Sequence, residues 1–290
     1  METIWRKIRH FLSLLKDMIF DWYADKGALL AAGISYFTMF SYVPMFLLLF
    51  QLSQTFIPPE HFEIEGQLRS QIEGLVGERG TETFFKIIES ARDEQTGLLS
   101  IIIGVFVLTF GASHLFVQIR NSLKIIWQEE LNESMTFLQN LLDRAKSLLL
   151  ALGAGVLIFI YLVISSVQAI ARQGLERILP EPIYVVLLDI ANLLFLFIVV
   201  AGLFLLFYRY MPGVDLTFKD VLGGAILGSV LFTFGRLAVE YVLIHSRYGS
   251  VSGVAGSVLF VLIWFYYSAL VFLLGAEFSK AYATRFGSRH

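Results

Sequence analysis

Cysteine is missing from this 290-residue chain, so thiolate zinc sites, iron–sulfur clusters, thiol catalysis and disulfides are all excluded. Charge is scarce as well: Asp, Glu, Lys and Arg make up 16% of residues, against about 25% in soluble domains. The five His residues (10, 61, 114, 245 and 290) are scattered along the chain, which gives no metal cluster and predicts no bound metal or cofactor. Nor is there a GxGxxG, a P-loop, an HExxH or a GxSxG, so no catalytic residue is assigned and an enzyme is not the expectation. A net charge of −2 supplies no basic field for nucleic acid.

What the chain has in excess is apolar side chain. Hydrophobic residues reach 57% and mean hydropathy is +0.71, more than a soluble fold of this size could bury. About 20 apolar residues in a helix cross the hydrocarbon core, and six charge-poor runs qualify, at about 28–51, 97–119, 147–171, 183–208, 221–245 and 256–277. The fold class is therefore all-α, a polytopic membrane protein with a single six-helix membrane domain over 1–290. Backbone in lipid must satisfy its own hydrogen bonds, and these runs of Leu, Ile and Phe do so as helices. The first run starts only after 26 mixed-charge residues and has no small-residue cleavage site, unlike a cleaved signal peptide.

Orientation follows from Lys and Arg. The side shared by both termini holds 14 of the 22, the other side seven, and Arg236 lies within a span. Both ends are therefore expected in the cytoplasm. Residues 1–26 carry Ile4, Ile8, Phe11, Leu12, Leu15, Met18, Ile19 and Trp22 at helical spacing. That pattern fits an amphipathic helix lying on an anionic leaflet, or one packed under the bundle. Residues 52–96 form an acidic extracytoplasmic loop, with amphipathic segments on either side of Gly77 and Gly80. Met211-Pro212-Gly213 predicts a tight turn between the fourth and fifth spans.

Charges inside a bilayer cost about 2.5–3.5 kcal/mol each on the lenient insertion scale, so each needs a reason. At 1.5 Å per residue Arg236 lies roughly 15 Å, Glu240 roughly 9 Å and Asp189 roughly 10 Å below the outer surface, with Asn192 one turn beneath Asp189. One reading is an ion-pair latch between two helices; the other is a polar cavity where Arg236 binds an anionic or phosphate head. Ser35, Tyr36, His114 and Gln118 are placed on the cytoplasmic half, near Glu277, which is expected to reach the interface. Pro44 should kink the first span, with Thr38 and Ser41 helping to satisfy the carbonyl it frees and Tyr36 part of the same gate. Gly224 and Gly228 are spaced for close helix packing.

Residues 31–44, AAGISYFTMFSYVP, resemble the first span of the YihY/BrkB family of bacterial inner-membrane proteins. Tyr248-Gly249, Trp264-Phe-Tyr-Tyr-Ser268 and Leu274-Gly275-Ala-Glu277 are similar to that family's C-terminal pattern, and Ile126-Trp127 and Met211-Pro212-Gly213 also look alike. The resemblance implies six helices, cytoplasmic termini, and a role in envelope lipid handling or transport. Some members carry an old ribonuclease label, which this chain contradicts by lacking a metal cluster, a basic groove and a soluble domain to hold RNA. Two functions are expected to compete. The first is movement or holding of an anionic lipid or other amphiphile. The second is a non-transporting scaffold that recruits envelope proteins through the 52–97 loop and the N-terminus. A channel ranks below both, since no ring of like charges is present. Membrane lipids are the expected partners in either case, and the oligomeric state is left open.

Overall fold

The computed structural model describes residues 2–56, 97–129, 180–245 and 253–288, with further helical residues between 150 and 175. Every regular element among them is a helix: α1 (Glu2–Ala24), α2 (Gly27–Phe56), α3 (Gly97–Ile126), α4 (Glu181–Tyr210), α5 (Phe218–His245) and α6 (Gly253–Phe286). Three contain stretches long and apolar enough to cross a membrane, at Ile183–Tyr210, Phe218–Val239 and Val261–Phe286. A shorter apolar stretch, Gly27–Ser41, opens α2. The acidic loop expected at 52–96 lies mostly outside the described residues, as do Tyr248 and Gly249 and the side chain of Glu240.

The helix ends follow local chemistry. Pro182 sits in the first turn of α4, where a missing N–H costs no helical bond. The helix stops at Met211-Pro212, and Gly213 takes a φ of +81°, as the expected turn requires. Thr217 then opens α5 capped by Asp220: its N–H and its hydroxyl both donate to Asp220 Oδ2, at 2.8 and 2.6 Å. Between α1 and α2 the chain reverses through Lys26 at φ +54°, and the ring of Trp22 fills the space a side chain at Gly27 would need. α2 runs without a break across Pro44.

Two compact units emerge, one of residues 1–28, 120–235 and 271–290, the other of 29–119 and 236–270. In the first unit α5 and α6 touch backbone to backbone. A Cβ on Gly224 would stand 2.0 Å from the Gly275 carbonyl oxygen, and one on Gly275 would stand 2.6 Å from that of Gly224. Only two glycines permit that approach, and Gly228, against Phe204 of α4, continues the packing. Tyr208 of α4 closes the same contact, its buried hydroxyl donating to the Phe272 carbonyl at 2.5 Å. Ser279 donates to the carbonyls of Gly275 and Val221. The second unit holds the α2–α3 pairing, in which Gly111 packs on Ser41, Gly33 faces the Gln118 amide and His114 stacks on Phe37 at 5.4 Å.

Two expectations are corrected here. Thr38 donates to the carbonyl of Ile34 and Ser41 to that of Thr38. Both return to their own helix one turn back, so neither serves the Phe40 carbonyl that Pro44 leaves without a donor. α6 also extends past the expected end near 277 to Phe286, because Ser279 to Arg285 contains no breaker, so Lys280 and Arg285 belong to the helix. At 1.5 Å per residue its 34 residues span about 51 Å, well beyond a hydrocarbon core of about 30 Å.

Candidate functional site

Two polar places stand out in the first unit, and both involve residues that the sequence pattern did not single out. The first is a cavity of about 440 Å³ beside the α4–α5 turn. Leu150, Gly153 and Leu206 form an apolar wall; Arg209, Tyr210 and Asp215 supply the polar side. Arg209 occupies the last turn of α4, where the helix dipole favours a cation. One guanidinium nitrogen donates to the Leu216 carbonyl, and the group lies 4.0 Å above the Phe218 ring. Its Nε is buried without an acceptor. Among the described residues no carboxylate pairs with Arg209, although Asp215 lines the same cavity. A guanidinium that has no carboxylate partner among the described residues and one idle N–H suits an anionic oxygen, and the apolar lining suits a chain attached to it.

The second place is where α1 meets the end of α6. Lys280 Nζ lies 3.2 Å from Asp21 Oδ2 and 3.2 Å from Asp25 Oδ2, and 4.0 Å from Glu277 Oε2. One helical turn on, Arg285 donates to Ser13 at 2.6 Å and to Asp17 at 3.1 Å. The three acids of α1 and its following turn recur every four residues, so they share one face, and α6 presents its two cations to that face. Glu277 is wholly buried here and does not reach the interface as expected, because α1 covers it. Nearby, Asp220 accepts from the N–H of Ser288 at 3.2 Å and from its hydroxyl at 2.7 Å, which ties the C-terminus to the α5 cap.

The residues expected to form an outer-half site are placed as follows. Asp189 on α4 is exposed, and Asn192 is half-buried with its Oδ1 lacking a donor. Both belong to the first unit, whereas Arg236, half-buried on α5, opens the 236–270 segment of the second. Tyr36 is exposed and stacks on Phe40 at 6.3 Å. Ser35 donates to the Ala32 carbonyl. Of the motif residues, Gly275 makes the α5–α6 contact and Glu277 the buried cluster, while Trp264 stacks on Tyr267 at 6.0 Å and accepts from the Ser268 hydroxyl at its carbonyl. Among the described residues no group of three or more His, Asp or Glu could hold a metal ion.

A chain whose described residues form helices alone, three of them long and apolar enough to cross a membrane, is an integral membrane protein. Residues 19–290 match the family described as Virulence factor BrkB, and the chain belongs to that family. A UPF0761 membrane protein of Tolumonas auensis is 35% identical over 79 residues, 27% of this chain and 26% of that relative. UPF0761 membrane proteins of Yersinia enterocolitica and Yersinia pestis are each 25% identical over 191 residues, 65% of this chain and 61% of theirs. The matched stretches thus span less than two thirds of those relatives' lengths. No solved structure matches the chain.

Proposed function

We propose that this protein binds and handles an anionic amphiphile, a phospholipid or a lipid-linked intermediate, in a bacterial inner membrane that it crosses six times with both termini in the cytoplasm. The observation that carries the reading is Arg209: a guanidinium whose buried Nε has no acceptor among the described residues, lining a cavity that Leu150, Gly153 and Leu206 also line. The Lys and Arg bias puts the α4–α5 turn on the cytoplasmic side, level with the inner-leaflet head groups. α1 then lies along the same leaflet, with Leu14 and Met18 facing protein and Ile19, Phe20 and Tyr23 exposed. Arg236 and Glu240 on α5, and separately Asp189 and Asn192 on α4, remain proposed head-group residues in the outer half, and Pro44 with Tyr36 a proposed gate.

The test is to extract the protein with its native lipid shell and identify the retained lipids by mass spectrometry, with wild type beside Arg209→Gln and Arg236→Ala. Retention of one anionic class, lost in Arg209→Gln, supports the cytoplasmic cavity. Loss only in Arg236→Ala moves the site to the outer half. The same bulk-membrane lipids in all three samples would sink lipid binding at either arginine.

A further inference from the structure

The junction of α1 with α6 holds three carboxyls and one ammonium in a nearly dry setting. Side-chain exposure is 0% for Glu277, 11% for Lys280 and 16% for Asp25, rising to 40% only at Asp21. Lys280 gives its hydrogen bond to Asp25 and its second close contact to Asp21, and stands a full 4.0 Å from Glu277. Among the described residues no donor gives a hydrogen bond to either oxygen of Glu277. Its carboxyl instead shares one cation with that of Asp25, Lys280 Nζ standing 4.0 Å from Glu277 Oε2 and 3.2 Å from Asp25 Oδ2. Two carboxylates offer each other only lone pairs, so crowding both around one ammonium is repulsive unless one of them keeps a proton. With a single proton between them, the acid O–H donates to the neighbouring carboxylate, Glu277 gains its missing partner, and the cluster's formal charge falls from −2 to −1. The remaining excess charge then rests on Asp21, the acid that water reaches.

We propose that Asp25 and Glu277 form a proton-binding site, one proton held between two carboxyls, and that the seating of α1 on α6 is coupled to its occupancy. The charged groups facing Glu277 are Asp25 and Asp21 from the α1 side and Lys280 from its own helix. When α1 separates, both carboxyls meet water and ionise, so the seated state binds one proton more than the open one. By linkage, seating is complete at lower pH and weakens as pH rises. The Arg285–Asp17–Ser13 contact contains no shared proton and acts as a hinge that keeps α1 attached.

The experiment uses the full chain in bilayer nanodiscs of phosphatidylethanolamine and phosphatidylglycerol. Infrared spectra report the carbonyl band of a protonated carboxylic acid. Because the chain has no cysteine of its own, Tyr23→Cys with Thr284→Cys, both exposed, accepts a pair of spin labels reporting the α1–α6 distance. The expected result is a protonated-acid band at neutral pH that disappears on alkalinisation, together with a shift of the label distance to longer, broader values. In Glu277→Gln, which keeps the shape and supplies a permanent N–H donor, the band is lost and the distance no longer responds to pH. Asp25→Asn, the second variant, behaves the same way. A spectrum identical in wild type and both variants overturns the proposal, and so does a distance change in Glu277→Gln that follows pH as in wild type.

Discussion

α4 and α6 are both long apolar helices, yet they use their apolar residues in opposite ways. In α4 the spanning window is the more apolar of the two, and only 11% of it is buried within the protein; in α6 the figure is 44%. Ile183, Leu187, Ile190, Leu194 and Ile198 form an exposed stripe at helical spacing on α4. α6 carries the buried charges Glu277 and Lys280, the glycine that lets α5 approach, and a core of Phe272, Leu273 and Ala276. In water hydropathy points inward, whereas here it points to the solvent that lipid provides. The less apolar helix is the one that organises the fold.

The comparison can be broken most severely at Lys280. Among the described residues, Lys280→Met removes the one cation close to Glu277 and Asp25, and leaves buried carboxylates uncompensated. A loss of about 3–5 kcal/mol is expected, enough to prevent recovery of folded protein. Its combination with Glu277→Gln should restore part of that loss, measured by unfolding in a denaturing detergent series. Next in size is a matched pair of glycine substitutions. Gly275→Ala forces α5 and α6 apart, or displaces the Tyr208 hydroxyl 2.5 Å from the new Cβ, for about 1–3 kcal/mol. Among the described residues Gly202→Ala on α4 meets Leu157 alone, at 3.6 Å, and should stabilise the helix by about 0.5–1 kcal/mol. Smaller again is Tyr208→Phe, which deletes the hydroxyl bond to Phe272. Interhelical hydrogen bonds in membranes average about 0.6 kcal/mol, and a loss near that value is expected.

The same contrast explains what could be read from the sequence. Apolar runs reveal that a segment is helical and enters lipid, because length and missing charge are local properties; α4, α5 and α6 were legible for that reason. The 211–213 turn and the packing role of Gly224 and Gly228 were legible through proline and glycine chemistry. The polar junction was not. Asp21 and Asp25 sit in a mixed-charge N-terminus, and Lys280 lies 255 residues further on, past the last apolar run. Nothing local separates such residues from solvated charges. Their four-residue spacing was the available signal, and it gains meaning only once α6 is seen to continue to Phe286. Arg209 was likewise counted as one of the basic residues that set orientation, because its unpartnered Nε is a property of the folded turn. Glu277 was singled out through its motif, but its burial was not foreseen, since helix rotation and the cover from α1 leave no trace in composition.

The smallest effect belongs to the exposed stripe, and it is the sharpest test of whether that stripe faces lipid. Leu194 and Leu273 are the same residue, 57% and 0% exposed. Leu273→Ala removes a side chain whose neighbours relax only partly, at a cost of about 2–5 kcal/mol. Leu194→Ala should cost less than about 0.5 kcal/mol. In a bilayer the helices stay inserted when their packing is lost, so a lipid-facing leucine has the same surroundings before and after and drops out of the difference. Unfolding of both variants in the same lipid measures the gap directly. If Leu194→Ala lost as much as Leu273→Ala, the α4 stripe would be covered by protein, either another part of the chain or a second copy, and hydropathy would cease to mark the lipid face.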